Sequence, residues 1–269
     1  MQRLTQQRVT SAFTVRSLRP GALAMGHVLN VDHFHMSQPT FPPHPHAGFS
    51  AVTWMMPWSA GGFRNRDSRG DSSLIAPGAL HWTHAGAGML HEEIPAQPGE
   101  VCEGLQMFVK LPEAQELSAP RAFHVAPDEV PRVELGGARV RVLAGEFAGV
   151  RSSIPPHAGT TLLHADVGGE FAFDAPSGVD AFLFVLRGRG ELDGVAVEAG
   201  VALALAPRRI HVRGADLCAL VAWSEAMPTQ PEFSGPFCMF RRERLAEARA
   251  NYAAGAMGRL APSSVAWTR

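Results

Sequence analysis

Lysine is almost missing from this chain, with Lys110 the single one among 269 residues. Positive charge rests on arginine, and 24 Lys plus Arg stand against 25 Asp plus Glu, a formal net charge of −1. No global field is available to gather nucleic acid, which argues against direct nucleic-acid binding. The abundance of Ala and Arg beside a single Lys points to a GC-rich bacterial source. Long apolar runs are missing too, and none reaches the length of a membrane span. Residues 1–8 have no apolar core behind their charges, so no signal peptide is read there. Cysteine is scarce: Cys102, Cys218 and Cys238 are isolated, odd in number and form no C-x-x-C. That pattern gives no disulfide framework and fits buried thiols in a reducing cytosol. A cytoplasmic protein is the expectation.

What is plentiful is turn chemistry. With 27 Gly, 21 Pro, 46% hydrophobic residues and only 18% charged ones, the composition favours many short strands around a real core. Strand patterns fall at residues 50–56, 63–67, 79–82, 89–93 and 104–111. Residues 112–137, with four prolines and Gly136-Gly137, read as a connection. The pattern then restarts at 139–143, 161–165, 181–186, 201–205 and 217–223, a weak repeat of the first half. From 239 to 254 the period changes: Leu245, Ala248 and Tyr252 fall at helical spacing, and Gly255 marks a stop. The expected fold is all-β: two barrels in tandem, then a C-terminal α-helix packing onto a barrel. The expected domains are 1–126, a linker at 127–137, and 138–269.

Histidine is unevenly placed. His27, His33, His35, His44, His46, His81, His84 and His91 precede residue 92, and His124, His157, His164 and His211 follow it. Two stretches stand out, Phe41-Pro-Pro-His44-Pro-His46-Ala-Gly48-Phe49 and Met89-Leu-His91-Glu-Glu93-Ile-Pro95. On a strand, residues i and i+2 share a face, about 6.6 Å apart. Two imidazoles so placed can lean onto one ion, and His91 with Glu93 completes a set of three histidines and one carboxylate. Without thiolate, such donors suit a first-row transition metal, iron(II) first. Four protein ligands on an octahedral ion leave two positions open, which is the arrangement of a reactive site. The competing reading of each isolated H-x-H is an ordinary surface or core histidine. The second half carries neither motif and is read as a barrel without metal.

The ordered motifs resemble the pirin family of the cupin superfamily. The resemblance runs through Val31-Asp-His-Phe34, the two stretches above, Arg66-Asp-Ser68, Pro77-Gly78, Trp82, Ala85-Gly-Ala-Gly88 and Gly104-Leu-Gln106. It ends with Gly235-Pro-Phe237, a helix and Gly255-Ala-Met-Gly258. It implies a bicupin of two jelly-roll type cupin barrels, with metal only in the N-terminal one. Carried over by position, the ligands are His44, His46, His91 and Glu93, around Fe(II) or another divalent ion in recombinant protein. It also implies one of two roles: a dioxygenase of the quercetin 2,4-dioxygenase type, with Glu93 as catalytic base, or an iron-dependent regulatory protein that senses redox state and binds a protein partner. A pirin-fold enzyme with another small substrate is the third reading. Phe49, Trp54, Trp82, Met89 and Phe108 are candidate substrate walls, with barrel core as the alternative. His33, His35 and His84 are candidate donors that orient the ligands. Ala47, Ser50 and Ala87 stand where the family pattern has Arg, Glu and Arg, which removes positive charge from the rim. A small aromatic substrate, no membrane and a monomeric chain complete the expectation.

Overall fold

The computed structural model describes residues 1–155, 157–261 and 263. Met89–Pro95 pairs antiparallel with His44–His46 and with Phe63–Asp67, as Cys102–Lys110 does with Phe49–Met55 and Thr161–Val167 with Leu217–Glu225, and the chain divides into two compact units. One unit comprises Gln7–Val15, Val31–Pro127 and Pro228–Arg269; the other comprises Met1–Gln6, Arg16–Asn30 and Asp128–Met227. The units are therefore interleaved in sequence, unlike the simple division at 126–138 expected above. The reason lies in pairing: Gln2–Arg3 joins a sheet through Val201–Ala204, some 200 positions away, and no local pattern reports such a partner. The expected linker is also partly strand, because Arg132–Leu135 pairs with Ala138–Ala144 across a tight Gly136-Gly137 turn.

The unit containing residues 31–127 has two main sheets, whose strands Phe13–Leu18 and Val28–Met36 continue past its bounds. Seven strands run in the spatial order Arg121–Val125, Leu80–His84, Phe49–Met55, Cys102–Lys110, Val28–Met36, Phe13–Leu18 and Gln7–Thr10. Four more run in the order His44–His46, Met89–Pro95, Phe63–Asp67 and Leu74–Ile75. Period-two burial marks the half-exposed strands: Phe63, Asn65 and Asp67 are buried while Arg64 is exposed. The other unit repeats the layout with seven and four strands. Its interior is one continuous apolar cluster that includes Val140, Leu163, Ala165, Phe171, Val185, Leu217 and Val221. The strand-and-turn repeat read from the sequence is thus a repeat of architecture.

The helix spans Arg242–Ala253, starting three residues later than its pattern suggested. Those residues are used otherwise, for Phe237–Met239 pairs with Glu232–Ser234. Phe237 also bridges Ala47, and the Cys238 amide donates to the Ala47 carbonyl at 3.1 Å. Gly48 sits beside this junction at φ +83°, where any Cβ would collide with the Cys238 carbonyl. The helix buries Leu245 and Ala248 against Ala47, Phe237, Met239 and Met257, so it docks on the unit of residues 31–127. A buried charge network fixes the dock. Lys110 Nζ donates to Glu116 Oε1 at 2.5 Å and to the Gly48 carbonyl at 2.8 Å. Glu116 in turn accepts from the Phe240 amide at 2.8 Å and from Arg244 at 2.6 Å. Both side chains of the Lys110–Glu116 pair are fully buried. The cysteines are free and buried. Among the described residues, no helix is long and apolar enough to cross a membrane.

Candidate metal centre

His44–His46 lies antiparallel to Met89–Pro95, with His44 opposite His91 and His46 opposite Met89. Cross-strand pairing sets His44 beside His91, and the two-residue period brings His46 to the same face. The three ring centroids form a nearly equilateral triangle, 4.7 Å for His44–His46, 4.7 Å for His44–His91 and 4.9 Å for His46–His91. One nitrogen from each ring falls within 4.8 Å of the other two.

The protonation of these rings suits ligation. Burial holds the His46 pKa down at about 3, with His44 nearby adding to the effect, and pushes His91 well below its ordinary value. Burial also lowers His44. All three are neutral at pH 7 and present lone pairs. The His44 tautomer is dictated by its surroundings. Its Nδ1 lies 2.9 Å from the Pro42 carbonyl, which can only accept, so Nδ1 carries the proton and Nε2 is left for the ion. The buried Nδ1 of His91 has no hydrogen-bond partner. Three converging neutral imidazoles without thiolate fit a borderline divalent metal ion.

Glu93 follows His91 by two residues and faces the same cavity, but its carboxylate lies outside the cluster of three nitrogens. Both of its oxygens accept from Thr53 Oγ1, at 2.9 and 2.7 Å, across from the facing sheet. Burial raises the Glu93 pKa to about 7, against the opposing pull of that hydrogen bond. Three of the four expected ligands are therefore gathered at one point, with the fourth residue beside them and differently engaged.

Above the cluster lies a cavity of about 250 Å³. Phe13, Phe34, Met36, Phe41, Phe63 and Phe108 give it an apolar wall, and Asp32, Gln106 and Glu93 add polar groups. Phe34 stacks on Phe63 at 5.2 Å, while Phe13 and the half-exposed Phe41 meet edge to face at 5.3 Å on the rim. Of the wall residues expected from sequence, only Phe108 lines the cavity. Trp54 and Trp82 are buried core, and their strand positions alternate with inward Thr53 and Thr83. Phe49 packs on His46 and Phe108 instead. The expected orienting histidines are elsewhere as well. His84 meets Ser118 at 2.7 Å, and His33 and His35 hold Glu103 on the opposite face of the sheet. The residues missed by sequence reasoning are Thr53, Asp32, Gln106, Met36 and the four phenylalanines Phe13, Phe34, Phe41 and Phe63. Alternation placed Thr53 on the Phe49 and Ala51 face, which was the one available signal.

The positions that depart from the expected pattern are now placed. Ala47 is fully buried in the cluster of Phe237, Met239, Leu245 and Met257. Ser50 is fully buried. The Ala87 amide donates to the Ser118 carbonyl at 2.9 Å in a turn.

Two double-sheet β-units, one of them carrying a buried imidazole cluster under an aromatic cavity, define a bicupin with a metal-binding residue group. A structure of quercetin 2,3-dioxygenase from Acinetobacter baumannii has the same fold, with a TM-score of 0.83, 24% identity and 96% of each chain covered. The bacterial pirin YhhW from Escherichia coli, in complex with nickel(II), matches with a TM-score of 0.65 and 14% identity over 83% of this chain and 96% of that one. The family profile described as Pirin matches residues 3–109. A pirin-like protein of Caulobacter vibrioides is 31% identical over 233 residues, 82% of this chain and 80% of the relative. The chain belongs to the pirin family. It spans between 51% and 64% of the length of related plant proteins of Solanum lycopersicum and Arabidopsis thaliana.

Proposed function

We propose that the chain is an Fe(II)-dependent dioxygenase for a flavonol-type, quercetin-like substrate, with His44, His46, His91 and Glu93 as metal ligands. The observation that carries this reading is the aromatic-walled cavity ending on three neutral imidazoles and a carboxyl group poised near pH 7. The similarity to quercetin 2,3-dioxygenase from Acinetobacter baumannii supports the substrate class, and nickel(II) in the Escherichia coli pirin supports a divalent ion.

When bound, the iron supplies Lewis acidity and redox access to dioxygen. The protein residues do the rest. Phe34, Phe63 and Phe108 hold an aromatic ring by stacking and edge contacts. Glu93 takes the proton of the substrate hydroxyl at a carboxylate oxygen, and a general base is most effective with a pKa near the working pH. Thr53 Oγ1 then donates to the other oxygen and keeps the side chain in place. Asp32 and Gln106 accept from phenolic hydroxyls. Over the whole reaction one flavonol and one O₂ give one depside and one carbon monoxide, with both oxygen atoms of O₂ accounted for among the products.

A second reading is favoured by size. Ligand pockets commonly enclose about 300–1,000 Å³, and this cavity falls below that range. A smaller hydroxylated aromatic would fill it, and the Asp32 side chain on its wall favours a neutral over an anionic one. The deciding experiment is anaerobic purification, metal analysis and a quercetin assay on the wild type, His44→Ala and Glu93→Ala. Metal-dependent loss of quercetin absorbance, abolished in both variants, is the expected result. Stoichiometric metal with no turnover would overturn the flavonol assignment and leave the smaller aromatic, or a protein partner responding to the metal, as the reading to pursue.

A further inference from the structure

A second group of ligand-type side chains lies on the far side of the same seven-stranded sheet. Asp32, Phe34 and Met36 face the cavity, so His33 and His35, between them on the strand Val28–Met36, project from the other face. On the adjacent strand Cys102–Lys110, Gln106 and Phe108 face the cavity and Glu103 projects with the histidines. Two imidazoles and a carboxylate thus meet on a surface that the site above does not use.

Their geometry is that of a chelate. His33 Nε2 lies 2.9 Å from Glu103 Oε1, and His35 Nε2 lies 3.6 Å from Glu103 Oε2. One donor atom from each residue falls within 4.8 Å of the other two. Donors bound at about 2.0–2.2 Å to one ion sit roughly 3.0–3.4 Å apart in octahedral or tetrahedral arrangements, so the two measured spacings bracket the required one. The carboxylate is preorganised: Trp58 Nε1 donates to Glu103 Oε2 at 2.9 Å, and the Glu103 amide donates to Ser59 Oγ at 2.9 Å. Hydrogen bonds of this kind orient a ligating carboxylate. His33 is buried, whereas the His35 side chain is 32% exposed, which gives an ion access and lets one ligand swing in.

A comparable group in the other unit, His164, Asp166 and Cys218, lacks this freedom. There Arg141 donates to Asp166 at 2.6 Å and lies 3.3 Å from His164, so a cation already occupies the position. Among the described residues the Glu103 carboxylate is held by imidazoles and an indole.

We propose that His33, His35 and Glu103 form a second divalent transition-metal site, independent of the cavity cluster, joining the strands Val28–Met36 and Cys102–Lys110. Two imidazole nitrogens and the carboxylate leave further positions to water, and such a set selects borderline ions over calcium or magnesium.

Cobalt(II) is the probe, followed by equilibrium dialysis and by its visible absorption on the full-length chain. Wild type should bind two ions, His35→Ala one, and His44→Ala/His91→Ala one, with that remaining ion lost when His35→Ala is added. Far-UV circular dichroism controls for folding, and Glu103→Gln repeats the test from the other ligand. Unchanged stoichiometry in both His35→Ala and Glu103→Gln would overturn the site. So would a folded His44→Ala/His91→Ala variant that binds no cobalt(II), which would leave the three side chains as a hydrogen-bonded cluster only. Because the readout is a count of ions, failure of the dioxygenase reading would leave this result untouched.

Discussion

The two units share a layout of seven and four strands and differ in what faces inward. In the unit of residues 128–227, Leu163, Ala165, Val167, Leu217, Ala219 and Val221 alternate into a closed apolar interior. In the unit of residues 31–127, the equivalent kind of space holds His46, His91, Glu93, Thr53 and Gln106 around a cavity, and Phe34, Met36 and Phe63 join its wall to a smaller apolar cluster with Met55. One barrel spends its interior on packing. The other gives up packing to keep polar groups desolvated, and desolvation is what holds the imidazoles neutral and the carboxyl near pH 7.

The contrast is breakable from either side. Leu163→Ala in the filled unit should cost about 2–5 kcal/mol by leaving a cavity, read as a lower denaturant midpoint with unchanged cobalt(II) affinity at the cavity cluster. If that substitution weakens metal binding, the interiors are not separable. His91→Ala in the other unit should do the reverse. Affinity at the cavity cluster should fall at least 100-fold, given that even outer supporting groups are worth about 10–100-fold, with metal-free stability held or improved since a buried imidazole is removed. Thr53→Val keeps the shape and deletes one donor. Because that donor favours ionised Glu93, its loss should raise the Glu93 pKa, move the ascending limb of any pH–rate profile to higher pH, and lower turnover about tenfold, in line with a hydrogen bond to a charged group worth about 1.5–3 kcal/mol. An unshifted profile would remove Glu93 as the base.

The smallest effect is on stability against pH. His46 titrates at about 3 in the folded metal-free chain and near 6.5 when unfolded. Between those values the unfolded state binds the extra proton, so stability falls as the pH drops below 6.5 and its loss is complete near 3. The first pH unit is worth about 1 kcal/mol, and His46→Gln should flatten that slope in denaturation curves between pH 6.5 and 5.5. An equal slope in both proteins would place the protonation elsewhere.

Much of the fold was legible in the chain because period-two burial is local. The strand Phe63–Asp67 and the strand Met89–Pro95 could be placed from alternation and flanking turns, and H-x-H with H-x-E placed three imidazoles on neighbouring strands. What escaped depends on distant pairing. The partner of Gln2–Arg3 has no local signature, and neither does the seat of the C-terminal helix, whose packing onto a barrel was expected but not its contacts with Ala47 and Phe237. The cavity wall escaped for the same reason, since Phe13, Phe34, Phe41 and Phe63 come from separate segments and each reads alone as core. Thr53 read as a strand former, which it is; its second task appears only when Glu93 arrives from the facing sheet. His33 and His35 read as supports for the cluster because the sequence shows i and i+2 but not which face a strand turns inward.

The buried Lys110–Glu116 pair has a practical corollary. Lys110 is the only side-chain amine in the molecule, and it is sealed beneath Phe240 and Arg244. An amine-acylating reagent meets the folded protein at its α-amino group alone. Slow acylation of Lys110, followed by mass spectrometry, would therefore clock how often the C-terminal segment lifts from its seat. The chain carries a built-in, single-residue reporter of that opening, with no label to introduce.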